Sequence, residues 1–259
     1  MLVRQVLTGI AEAIDLDGSD LYEINVAVTE ACNNVVVHAY RGDEGPLEIE
    51  VYLQPGAMEV VVRDRGVGIA PLAQDALGTG LPVIQALSQS VAVSAGQDGG
   101  TEVRMRFDSP RTGALNPPPA GSFEVPSVKE VGRGSAIEVT LVPTLLSRTV
   151  LPRLLSVFAA RAHFTTDRFV DGQLMADELA AGVERSSGSG HLSVRISAQP
   201  RELELRLAPL AAGGANRLLL DASLGGVGPV IGKLSTHHRV TTLASGEHEM
   251  LALRLVQSA

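Results

Sequence analysis

The chain has 259 residues, 45% of them apolar and 19% charged, with one cysteine, no tryptophan and a formal net charge of −8. That composition suits one large or two modest globular domains, and it excludes a disulfide framework, a cysteine-based zinc site and an apolar run of the roughly 18 residues that a membrane span needs. Residues 1–108 hold 6 basic and 16 acidic side chains, which leaves no basic face for nucleic acid there. Acids within MLVRQVLTGIAEAIDLDG interrupt the apolar core of a signal peptide, so a cytoplasmic setting is expected.

Leu2 to Ile14 has helical periodicity, and Asp20 with Glu23 forms a capping box that would open a second helix running to about Tyr40. Two alternating strands follow, LEIEVYLQ (47–54) and MEVVVRD (58–64), around a Pro55-Gly56 turn. A Gly-rich segment leads to a helix from Leu81 to about Gln89, and VAVSAG and TEVRMRF complete a sheet. Residues 109–128, SPRTGALNPPPAGSFEVPSV, collect prolines with Gly and Ser and read as a connector. Beyond it the same order returns: IEVTLVP, helices at Leu151–Arg161 and near Asp171–Arg185, strands LSVRISAQ and LELRLAP around Pro200-Arg201, a Gly-rich stretch, PVIGKLS and EMLALRLV. LEIEVYLQP matches LSVRISAQP and LPVIQALS matches GPVIGKLS at offsets of 145 to 148, the signature of an internal repeat. With Met1 almost on the first helix, the first half is expected to lack the edge strand that IEVTLVP supplies to the second.

The informative segment is VTEACNNVVVHAY (28–40). Glu30, Asn34 and His38 fall at i, i+4 and i+8, so one helix face presents a carboxylate, an amide and an imidazole. Next come DRGVGI (64–69), GTGLPVI (78–84) and GGTEVRM (99–105). Asp64 at a strand end, followed by Gly66 and Gly68, lets a carboxylate accept an amine hydrogen bond while bare backbone passes close to a flat ligand. Gly78 and Gly80 lie just ahead of a helix, where free N–H groups and the helix dipole favour phosphate oxygens. Each piece alone has an ordinary reading as a polar surface row or a turn. Their order is what carries information.

This ordered set resembles the N, G1, G2 and G3 boxes of the GHKL ATP-binding superfamily. More narrowly, Glu30, Ala31, Asn34, His38 and Tyr40 resemble the motif of the anti-sigma-factor serine kinases of bacterial sporulation and stress control. The likeness covers about residues 2–107 well and 135–257 only as a degraded copy. It implies an α/β fold of two tandem GHKL (Bergerat-type) two-layer sandwiches, each a mixed sheet with helices on one face, spanning 1–108 and 129–259 with the connector at 109–128. The resemblance further implies that the chain binds ATP with magnesium. Asn34 would coordinate the magnesium, Glu30 would be the general base on an incoming protein hydroxyl, and Asp64, with Thr101 near it, would bind the adenine amine. Gly66, Gly68, Gly78 and Gly80 would shape the pocket and its lid. The implied function is a serine/threonine protein kinase and anti-sigma regulator that phosphorylates a small anti-anti-sigma (STAS-type) protein, with a sigma factor as a further partner. A nucleotide-gated module that sequesters a regulatory partner without phosphoryl transfer is the alternative. Neither direct nucleic-acid binding nor a membrane is implied, and the two copies are expected to pair within one chain as a pseudo-dimer.

In the second half Gly182 stands where Asn34 is and Pro209 where Asp64 is, so that copy is expected to lack a nucleotide site, leaving Glu178, opposite Glu30, as an exposed helix acid. GVGPVIGKLS is no Walker loop, because Val227 takes its first glycine and Leu234 its Ser/Thr. His38 is expected to pack or hydrogen-bond rather than to catalyse, and the side chains of His237 and His238 to diverge rather than hold a metal.

Overall fold

A computed structural model describes residues 2–40, 45, 47–54, 56–68, 80–96, 99–108, 127–130, 136–141, 146–220 and 229–257. Contacts divide them between two units, one of residues 11–134 and one of residues 1–10 with 135–259. Helix α1 (Leu2–Ala13) runs through the boundary at residue 10. The first unit continues with α2 (Gly18–Asn34), a π-helical turn (Val35–Ala39), β1 (Leu47–Gln54), β2 (Ala57–Asp64), α3 (Gly80–Leu87), β3 (Ser90–Ala95), β4 (Thr101–Asp108) and β5 (Ser127–Glu130). Its strands lie in the order β3-β4-β2-β1-β5.

Strand alternation decides which face is which. Ile49, Val51, Val60, Val62, Val103 and Met105 are buried on one face, with Ala27, Val28 and Ala31 of α2 and Ile84 of α3 buried too. Each such side chain contributes on the order of 1.5–3 kcal/mol by leaving water. The opposite face is an ion-pair lattice in which Arg63 meets Glu50 and Glu102, and Arg104 meets Glu59 and Glu102.

The second unit comprises β6 (Ala136–Leu141), a π-helical turn (Leu146–Val150), α4 (Leu151–Arg161), α5 (Thr166–Ser186), β7 (Leu192–Gln199), β8 (Glu202–Ala211), α6 (Gly214–Leu220), α7 (Val230–Leu234), β9 (His237–Thr242) and β10 (His248–Val256). Its sheet has the order β6-β7-β8-β10-β9, and Val194, Leu207 and Leu251 line up across it, all buried. Reversed, β9-β10-β8-β7 repeats the order β3-β4-β2-β1 of the first unit, while the edge strand comes first along the chain in the second unit (β6) and last in the first (β5). The registers match as well: Glu48 lies opposite Arg63, and Ser193 opposite Ala208, both shifted by 145 residues.

Several expectations are corrected. Every described ladder is antiparallel, not mixed, because β1–β2 and β7–β8 are tight hairpins whose turns place Gly56 and Arg201 at φ of +78° and +66°. The first half does have an edge strand. β5, partly within and partly just past the expected connector, pairs with β1, and Val128 faces Ile49 as Val139 of β6 faces Val194. Helix α2 starts at Gly18, before the Asp20–Glu23 box, because Asp17 is extended and its carboxylate accepts the Ser19 N–H at 3.4 Å. Residues 214–220, read only as part of a Gly-rich stretch, are helical. Residues 1–10 cluster with 135–259 rather than with the rest of the first half. Most of the connector (109–126), Pro55, Gly78 and the expected lid at 69–79 lie outside the described residues.

Candidate functional site

Helix α2 sets the first two groups, since Glu30 and Asn34 are one turn apart and half-buried. A Cβ built on Gly80 would lie 3.0 and 3.1 Å from the amide nitrogen and oxygen of Asn34 and 3.3 Å from Glu30 Oε2. Helix α3 therefore begins with its backbone pressed against those two side chains, and any residue larger than glycine crowds them.

Asp64 ends β2 on the helix-covered face, 4% exposed, while its neighbour Arg63 points into the ion-pair lattice. Its Oδ1 accepts the Gly66 N–H at 2.8 Å. A Cβ on Gly66 would collide with the Ala39 carbonyl, and one on Gly100 (φ +75°) with the backbone carbonyl and carboxylate of Asp64. Gly68 has φ +71° and approaches the Gly100 carbonyl. Gly66 and Gly100, from two loops, thus meet at one buried carboxylate.

Asn34, Asp64, Gly68 and Thr101 line a common open cavity of about 480 Å³ whose apolar wall includes Ile84 and Val103. Glu30 and Gly80 meet at Asn34 beside it, and Gly66 faces Ala39. Gly78 lies outside the described residues. His38 is exposed and lines the cavity. Among the described residues no group of three or more His, Cys, Asp or Glu side chains could hold a metal ion.

Four of the residues matched to the family motifs, Asn34, Asp64, Gly68 and Thr101, thus line one cavity, and they fall within the segment that the family comparison matches, residues 1–107. These residues form a histidine kinase-like ATPase domain. The chain is also similar to serine-protein kinases named RsbW from Bacillus thuringiensis (strain Al Hakam), Bacillus cereus (strain AH820) and Bacillus anthracis, each 33% identical over 66 residues. The match covers 26% of this chain and 41% of theirs, so the chain spans about two fifths of the length of these curated relatives.

Three features of the ATPase domain escaped the sequence reading. The Ala39 carbonyl accepts the Val67 N–H at 3.0 Å, the Tyr40 hydroxyl accepts the Arg65 N–H at 2.9 Å, and Gly100 backs Asp64. The paired Gly99-Gly100 before Thr101 was the available signal for the last. The first two join residues 25 or more apart and leave no spacing signature. In the second unit, Glu178 is 2% exposed, which overturns the expected exposed acid, because it lies on the α5 face that also buries Met175, Leu179 and Val183. There Gly182 packs on Leu218 of α6, and the Glu249 carboxylate accepts the N–H groups of Gly213 and Ala215 at 2.9 and 3.1 Å. Among the described residues no helix is long and apolar enough to cross a membrane.

Proposed function

We propose that residues 1–107 bind ATP with magnesium and transfer the terminal phosphoryl group to a serine or threonine hydroxyl of a small anti-anti-sigma (STAS-type) protein, making the chain a cytoplasmic anti-sigma regulator. The observation that carries this reading is the convergence of Asn34 and Glu30 on the backbone of Gly80. A Cβ would fill the cradle between them, so what the fold keeps there is an amide oxygen, a carboxylate and helix N–H groups. An amide oxygen suits a hard cation, and the named function of the RsbW relatives agrees.

In this reading Asn34 holds the magnesium, which when bound supplies charge neutralisation on the phosphates. Asp64, backed by Gly100, accepts the adenine amine beside Thr101. Gly66, Gly68, Gly78 and Gly80 let backbone approach the nucleotide. Glu30 takes the proton of the acceptor hydroxyl and leaves binding to the other groups.

Residues 135–259 act as a degenerate copy without a nucleotide site, paired with the first half in an intramolecular pseudo-dimer. Supporting the copy are the shared order of four strands, Pro209 at the Asp64 position, and Leu218 pressed onto Gly182 where the first half has Asn34. The Glu249 carboxylate, at the N-terminal end of β10 as Thr101 is of β4, is engaged by α6.

Calorimetric titration of the full chain with magnesium ATP tests the proposal. One site per chain is expected, no binding overturns the nucleotide reading, and two sites overturn the degenerate copy. Glu30→Gln is expected to keep nucleotide affinity and lose transfer by about two to four orders of magnitude. A wild type that binds ATP yet never labels an anti-anti-sigma partner is instead a nucleotide-gated sequestering module.

A further inference from the structure

Three successive amides of the loop after β2 are each held by a different acceptor. The Arg65 N–H goes to the Tyr40 hydroxyl at 2.9 Å, the Gly66 N–H to Asp64 Oδ1 at 2.8 Å, and the Val67 N–H to the Ala39 carbonyl at 3.0 Å. The outer acceptors are the last residue of the π-helical turn that continues α2, the helix carrying Glu30 and Asn34, and the residue that caps it. The Tyr40 ring lies against Gly45, where no side chain fits, so the hydroxyl is delivered to Arg65 from a fixed direction.

The consequence falls on Asp64. With Oδ1 committed to the Gly66 N–H, the plane of the carboxylate is set by where residues 65–67 sit, and Tyr40 and Ala39 set that. We propose that Tyr40 is a positioning residue for purine recognition: its hydroxyl clamps the 65–67 loop so that the second oxygen of Asp64 is aimed at the exocyclic amine of the base. This rests on the nucleotide reading above. Ala39 acts through its backbone and is insensitive to side-chain identity, whereas the Tyr40 hydroxyl is a single removable atom. In the second half Gly188 takes the Tyr40 position at the Glu30-to-Glu178 offset, and Pro209 takes that of Asp64, so the clamp and the carboxylate it would aim are both missing there.

Tyr40→Phe tests this in the full chain, since it keeps the ring on Gly45 and removes only the acceptor. Loss of one hydrogen bond that orients Asp64 is expected to weaken ATP binding about fivefold. Binding of inosine triphosphate, which carries a carbonyl in place of the amine, should stay within a factor of two of wild type by this argument. In the nucleotide-free protein the Arg65 amide should exchange with solvent faster, while the melting temperature stays near that of wild type. Equal weakening toward both nucleotides, which is what a merely structural role gives, overturns the proposal, and so does unchanged ATP affinity or an unchanged Arg65 amide. A wild type that binds neither nucleotide overturns the underlying reading. A wild type that binds ATP beside an equally competent Tyr40→Phe overturns the assignment of Tyr40 alone.

Discussion

At the scale of single residues, the site turns on what is missing as much as on what is present. Gly80 lies in a helix, where alanine is ordinarily favoured by up to about 1 kcal/mol. Here the added methyl would stand 3.0–3.3 Å from Asn34 and Glu30, so those side chains must shift away from the backbone they now touch. Gly80→Ala is therefore expected to leave thermal stability within about 1 kcal/mol of wild type while lowering magnesium ATP affinity by about tenfold or more. Calorimetry beside a thermal melt checks both halves of that statement. Glu30 and Asn34 were legible in the sequence because both lie on one helix, where spacing alone fixes a shared face. Asp64 and its glycines were legible because their order after that helix is unusual. Tyr40 was visible as a motif letter but not as a clamp, since its partner Arg65 follows only after two strands have formed. Glu178 was misread because its match to Glu30 gives its helix position and not what covers it.

Among elements, the period-2 strands declared themselves, and the structure keeps all eight runs read as strands close to where alternation placed them. What escaped were β9, whose HHRVTT does not alternate, and two short pieces. β5 has four residues and gains its place only by pairing with β1. The seven residues of α6 sit in a stretch whose glycines suggested a loop, yet Leu218, Leu219 and Ala215 bury against the second unit, and the Glu249 carboxylate satisfies the free N–H groups at its start. The charged face of the first sheet makes its own prediction. Burial by itself would raise the Glu102 pKa, but hydrogen bonds from Arg63 and Arg104 and their charges outweigh it and hold the carboxyl below its ordinary value. A group depressed in the folded state contributes stability that is complete above its unfolded pKa, about 4.3 for a glutamate, and is lost as pH falls through the lower folded value. Glu102→Gln should thus flatten the decline of stability below about pH 4.3, measured by urea unfolding across pH 2.5–7 on the order of one-unit steps. A variant whose acid limb coincides with that of wild type contradicts the assignment.

For the whole molecule, the sequence placed the first helix with the first half, because helical periodicity reports that a helix has an apolar face and not which core receives it. Leu2, Val3, Val6, Leu7 and Ile10 are all buried, and residues 1–10 cluster with residues 135–259. Gly9 is the point where that packing can be tested with a definite sign. In an isolated or solvent-facing helix, glycine to alanine stabilises by up to about 1 kcal/mol. In the packed position a Cβ would be 2.9 Å from Val150 Cγ2 and 3.0 Å from the Thr149 carbonyl oxygen. Neither neighbour yields easily, because one belongs to a β-branched side chain with a stiff χ1 and the other is backbone at a helical turn. Overpacking of this kind typically costs about 1–3 kcal/mol, enough to reverse the helix-propensity gain. Gly9→Ala is accordingly expected to destabilise the chain by about 1–2 kcal/mol in denaturant unfolding. A stabilised Gly9→Ala variant would mean that residues 2–10 do not seat on Thr149 and Val150 in solution. A destabilised one, accompanied by faster amide exchange in residues 146–161 than in β1–β4, would tie residues 2–10 to the core they share with residues 135–259.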